Sequence, residues 1–123
     1  MKDRRSAGEV GREGEEAAAA YLASRGYRIV ERNLRLRAGE IDLVAEESGY
    51  LVFVEVKTRR STGFGTAAEA VTAQKRRQLI RLAALYLARR GGAPPPCRFD
   101  VVTVEPGPDG QWVCQVIQGA FVS

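Results

Sequence analysis

The stretch Gly39–Lys57, GEIDLVAEESGYLVFVEVK, decides how the chain is read. Glu40 to Ala45 and Leu51 to Lys57 are rich in branched and aromatic residues, and the polar run Glu46-Glu47-Ser48-Gly49 separates them. That pattern predicts a β-hairpin. With the turn centred between Ser48 and Gly49, Asp42 falls opposite Glu55 and Glu40 opposite Lys57. Strand side chains alternate between faces, so Glu40, Asp42 and Val44 are expected to share a face with Phe53, Glu55 and Lys57. Ile41, Leu43 and Ala45 against Val52, Val54 and Val56 then make the second face, wholly apolar and therefore core.

The first face carries the chemistry. Carboxylates directly opposite one another on paired strands have Cβ atoms roughly 4.5–5.5 Å apart and repel. With Val44, Leu51 and Phe53 beside them they are expected to be partly buried, which costs free energy unless a cation or a proton compensates. Mg²⁺, a hard ion that favours oxygen ligands, suits such a pair. Lys57, two residues beyond Glu55, would bring an ammonium alongside. Asp followed by Glu-x-Lys thus supplies metal binding, nucleophile orientation and charge neutralisation for phosphodiester hydrolysis. The same letters also fit a surface hairpin in which Glu40 and Lys57 form a cross-strand ion pair. A one-residue slip would destroy the alignment.

Composition narrows the alternatives. In 123 residues, 45% are hydrophobic and 28% charged, the balance of one ordinary globular domain. Histidine is absent, which removes Ser-His-Asp catalysis, imidazole acid–base chemistry and His-bound zinc. Two cysteines, Cys97 and Cys114, make neither a disulfide framework nor a four-ligand zinc site, and are expected to be buried and reduced. The charged N-terminus, with no apolar run behind it, argues against a signal peptide, and a cytoplasmic location is expected. A net charge of +4 suits an anionic partner such as nucleic acid. Only Lys2, Lys57 and Lys75 among the 19 basic residues are lysines, so a lysine within a motif carries some weight.

Outward from the hairpin, residues 1–12 are polar and aperiodic and are read as a flexible basic arm, with a single domain over residues 13–123. Glu13 to Arg25 predicts a helix closed by Gly26, and Tyr27 to Arg37 one or two extended segments. Thr72 is a candidate N-cap for a helix over Ala73–Arg90 with an apolar stripe of Leu79, Leu82, Ala83, Tyr86 and Leu87. Arg98 to Val104 and Gln111 to Ile117 read as two further strands. The order helix, three strands, helix, two strands implies an α/β fold, a mixed sheet flanked by helices.

Several residues remain open to two readings at this level. Glu15 is either a solvated acid in a helix's first turn or a ligand delivered over the sheet. Gln74, Lys75, Arg76, Arg77 and Arg81 either contact phosphates or form a solvated face. The loop with Arg59, Arg60, Ser61 and Phe64 is either simply flexible or a device that grips a backbone and stacks a base. Asp100 is read as structural, a partner for Arg98, and Trp112 as core packing.

The segments GEEAAAAYL, GYRIVERN, GEIDLVAEESGYLVFVEVKTR, AVTAQKRRQL and CRFDVV, in this order, resemble the YraN-type family of small bacterial proteins, over about Gly14 to Phe121. These are predicted endonucleases, distantly similar to archaeal Holliday junction resolvases, with the restriction-endonuclease-like PD-(D/E)xK fold. The resemblance implies metal binding by Asp42 and Glu55, with the Val56 carbonyl and Glu15 as further ligands, and a catalytic lysine at Lys57. Gln74 or Lys75 would lie near the site. Here Ile41, not proline, precedes Asp42, as in resolvase-like branches. The implied activity is Mg²⁺- or Mn²⁺-dependent cleavage of DNA, structure-selective or resolvase-like, on branched or single-stranded substrates. A homodimer is implied by analogy, since cutting two strands symmetrically needs two sites. The alternative is a non-catalytic DNA-binding or adaptor protein that keeps the nuclease fold.

Overall fold

The computed structural model describes residues 4–59 and 71–122. In chain order the elements are α1 (Ala7–Ser24), β1 (Arg28–Leu36), β2 (Gly39–Glu47), β3 (Tyr50–Thr58), α2 (Ala73–Arg90), β4 (Cys97–Pro106) and β5 (Trp112–Phe121). This is the mixed α/β architecture and element order expected from the pattern. The five strands form one sheet in the order β1-β2-β3-β4-β5. The β3–β4 pair is parallel and the other three are antiparallel. A parallel neighbour needs a crossover, and α2 lies within it.

Ser48 and Gly49 both have positive φ, 51° and 82°, the backbone of a two-residue hairpin turn matched to strand twist. The turn fixes the register: Leu43 pairs with Val54, Val44 with Phe53 and Ala45 with Val52, as expected. Both faces of the sheet are core. Leu43, Ala45, Val52, Val54, Val102 and Val104 pack with Ala18, Ala19 and Leu22 of α1. On the other face, Val44, Leu51, Phe53, Phe99 and Val101 pack with Leu79, Leu82 and Ala83 of α2. Phe53 meets Tyr86 edge-on at 5.8 Å between ring centroids, and Phe99 stacks on Phe121 at 4.8 Å.

Three expectations change. The helix expected from Glu13 starts at Ala7, because Ser6 caps it: the Glu9 amide donates to Ser6 Oγ at 3.1 Å, and the Glu9 side chain returns to the Ser6 amide. That reciprocal cap, with Val10 buried beneath it, orders residues read as a loose arm. Ile41 leaves the face of Leu43 and joins the α2 cluster, because β2 breaks its alternation at Asp42. Cys97 is exposed at the start of β4, while Cys114 is half-buried; both are free thiols. Strand position, not residue type, decides this, since Cys97 lies at the outer end of its strand.

Asp100 is structural, as expected, and sits in a buried network. Arg98 Nε and a terminal nitrogen donate to its two oxygens at 2.9 and 3.0 Å. The Tyr27 hydroxyl and the Gly119 amide also donate to it, at 2.6 and 3.0 Å. Arg98 continues to Glu47 at 2.8 Å. Burial and the Asp100 hydrogen bond push the Tyr27 hydroxyl up to about 12. No helix among the described residues is long and apolar enough to cross a membrane.

Candidate metal and phosphodiester site

Asp42 stands where β2 and β3 part. Their backbone pairing runs no further than Leu43 and Val54. Beyond it the Asp42 carboxylate takes over as acceptor, receiving the Val56 amide on Oδ2 at 2.8 Å. A side chain has replaced a ladder carbonyl, so the strands are free to separate. The break also explains why residues from both faces of the sheet can reach Asp42.

Glu55 approaches from the α2 side. It is pressed into the structure, with 12% of its side chain exposed. Burial, then a hydrogen bond and like charge from Asp42, push its carboxyl up to about 8, against the opposing pull of Lys75. Lys75 Nζ stands 3.5 Å from Glu55 Oε2. Thr72 brings it there: its hydroxyl accepts the Lys75 amide at 3.1 Å and caps α2. Glu55, Val56, Lys57, Val71, Thr72 and Lys75 line a cavity of about 330 Å³. Lys57 is exposed at its mouth. Among the described residues Lys57 makes no ion pair, and Glu40 pairs with Arg35 at 4.0 Å. The cross-strand Glu40–Lys57 ion pair is therefore not formed.

Glu15 reaches the site from the α1 side. Gly14, buried before it, lets the helix press on the end of β3: a Cβ there would fall 1.8 Å from Thr58 Oγ1. Burial raises the Glu15 pKa, followed by the charges of Asp42 and Glu40, while a hydrogen bond from the Asn33 side chain lowers it. Asn33 was not singled out from the sequence. It adopts φ 49°, a left-handed conformation that asparagine tolerates better than most residues, and this is the one signal it offered.

Four carboxylates thus interact near the separation of β2 and β3: the charges of Asp42 and Glu40 act on Glu15, and that of Asp42 acts on Glu55. Among the described residues, Glu15 Oε2 and Glu55 Oε2 are buried with no hydrogen-bond partner, although Lys75 forms an ion pair with Glu55 Oε2 at 3.5 Å. Orphaned acceptors next to like charges are unfavourable, and a cation would satisfy them. Among the described residues no three Asp, Glu, His or Cys side chains stand close enough to hold an ion by themselves. Mg²⁺ commonly takes one or two carboxylates and fills its shell with water and substrate oxygens. The hard oxygens of Asp42 and Glu55 fit that requirement.

The basic residues divide. Lys75 belongs to the cavity. Gln74 is exposed on the neighbouring groove of α2. Arg76 turns away, donating to the Val71 carbonyl at 3.1 Å and lying over the Phe121 ring. Arg59 pairs with Glu105 at 3.0 Å. Arg60, Ser61 and Phe64 lie outside the described residues.

The model of a family described as an uncharacterised protein family, UPF0102, matches residues 14–104, the span holding every acidic residue of the site. A UPF0102 protein of Symbiobacterium thermophilum is 65% identical over 91% of this chain and 95% of its own length. One of Moorella thermoacetica is 51% identical over 96% of this chain and 97% of its own. A third, of Frankia alni, is 49% identical over 91% and 93%. The chain belongs to the UPF0102, or YraN-type, family.

Proposed function

We propose that this protein is a metal-dependent DNA endonuclease with a restriction-endonuclease-like site. The observation that carries the reading is the partly buried, mutually repelling pair Asp42 and Glu55, with a Glu55 oxygen that has no hydrogen-bond partner among the described residues and two lysines on one cavity. Asp42 and Glu55 would hold Mg²⁺ or Mn²⁺, with the Val56 carbonyl as a further ligand and Glu15 completing the shell through water. Bound there, the ion would supply Lewis-acid polarisation of a phosphoryl oxygen and a more acidic water. Lys57, which makes no ion pair among the described residues, would orient the attacking water and stabilise charge developing on the phosphate. Lys75 would balance Glu55 until the ion arrives. Branched or single-stranded DNA is the proposed substrate class, and a homodimer would place two sites on opposite strands.

The test is a cleavage panel of duplex, flap, four-way-junction and single-stranded DNA, with Mg²⁺ and Mn²⁺, run beside Asp42→Asn and Lys57→Ala. The wild type should cut at least one substrate, and each variant should lose activity by at least about 100-fold while keeping its fold. A metal-binding wild type that binds DNA and cuts none of the panel overturns catalysis and leaves a DNA-binding protein with the nuclease fold.

A further inference from the structure

The groove between α2 and the β1–β2 turn has a construction of its own. It measures about 280 Å³ and is lined by Ala38, Gln74, Arg77, Gln78 and Arg81. Positions 74, 77, 78 and 81 follow the spacing of a single helix face, distinct from the apolar stripe of Leu79, Leu82 and Ala83. The turn is drawn tightly against that face. Gln78 Nε2 donates to the Ala38 carbonyl at 3.4 Å. A Cβ at Gly39 would stand 2.7 Å from the same nitrogen, and Gly39 has φ 151°. The positive φ favours glycine here, and Asp42 follows three residues later on the same strand.

The charge is as one-sided as the shape. Arg77 and Arg81 are exposed, and among the described residues they make no ion pair. Like charges four residues apart on a helix repel. α2 carries no acidic residue to relieve them, and its first turn lacks the acid that the helix dipole favours. In α1, by contrast, Glu9 fills that place. A helix with unrelieved positive charge is suited to an anionic partner with repeated charges. Gln74 and Lys75 are adjacent residues that line this groove and the cavity of Glu55 respectively, so the two surfaces adjoin.

We infer that the α2 groove is a docking track for the phosphate backbone of duplex DNA, such as the arms of a branched substrate, held by Arg77 and Arg81 and leading to the acidic site at Asp42 and Glu55. The choice of DNA rests on the nuclease reading. Gln74 and Gln78 supply neutral donors beside the two guanidinium groups.

The test is fluorescence-anisotropy titration of a labelled DNA duplex against the full chain at several salt concentrations, in EDTA so that cleavage plays no part. Arg77→Ala/Arg81→Ala should bind at least about tenfold more weakly at 0.1 M salt, and its salt slope should fall by about 2, the loss of two phosphate contacts. Arg77→Gln/Arg81→Gln, which keeps helix-forming side chains, should do the same. Arg12→Ala/Arg25→Ala, which removes equal charge from exposed sites on or just after α1, should keep the wild-type slope. Equal slopes for wild type and both groove variants, an equal loss in the α1 control, or tighter binding of an RNA duplex would each overturn the track. Mn²⁺ titration of the same proteins keeps the two readings apart. A groove effect without metal binding sinks the nuclease reading alone, and metal binding without a groove effect sinks the track alone.

Discussion

Glu55 is the residue at which burial and charge oppose each other most strongly. Burial and the neighbouring Asp42 push its carboxyl up to about 8 from an ordinary 4.5. Between those values the folded protein holds a proton that the unfolded chain has released, so its stabilising contribution is complete at low pH and is lost as pH rises toward 8. Glu15 is shifted the same way. In EDTA the melting temperature should therefore fall between pH 5 and 8.5, by an amount on the order of a few kcal/mol of stability. Glu55→Gln should flatten most of that fall, and a wild-type melting temperature independent of pH over this range would contradict the account of Glu55. The acid pair itself was legible in the sequence, because alternation about the Ser48-Gly49 turn set Asp42 near Glu55. The side-chain bond from Asp42 to the Val56 amide was not. Letters alone do not tell a carboxylate that faces its partner strand's side chains from one that replaces a ladder carbonyl.

At the scale of elements, the two helices sit on opposite faces and each brings a group to the break in the sheet. α1 does so by contact: Gly14 lies against Thr58 so closely that a methyl group has no room. Gly14→Ala should cost about 1–3 kcal/mol through overpacking and lift Glu15 away from Asp42. Chemical denaturation checks the first effect; a variant as stable as wild type would show that α1 can shift without cost. The start of α2 was readable from Thr72, a capping residue ahead of a clear apolar stripe. The start of α1 was not, because glycines at positions 8, 11 and 14 lower helix propensity, and the decisive signal is the pairing of Ser6 with Glu9. The alternation that located the hairpin core failed at Ile41 for the same reason that the site exists there: the strand changes course at Asp42.

Across the whole molecule, a buried polar cluster holds β4 in place, with Asp100 paired to Val54, the neighbour of Glu55. There Asp100 and Arg98 join β4 to Tyr27, Glu47 and the Gly119 backbone. Removing one partner leaves buried charge uncompensated, so Asp100→Ala should cost about 3–5 kcal/mol, read by urea unfolding. A loss below about 1 kcal/mol would show the network to be incidental. The acids meet where β2 and β3 diverge, and in the proposed reading a bound cation would make that arrangement favourable. Calorimetric titration of Mn²⁺ into the wild type and Asp42→Ala near pH 7.5 tests this most directly. The account predicts saturable binding to the wild type and at least about tenfold weaker binding to Asp42→Ala; equal heats from both proteins, or none from either, would contradict it.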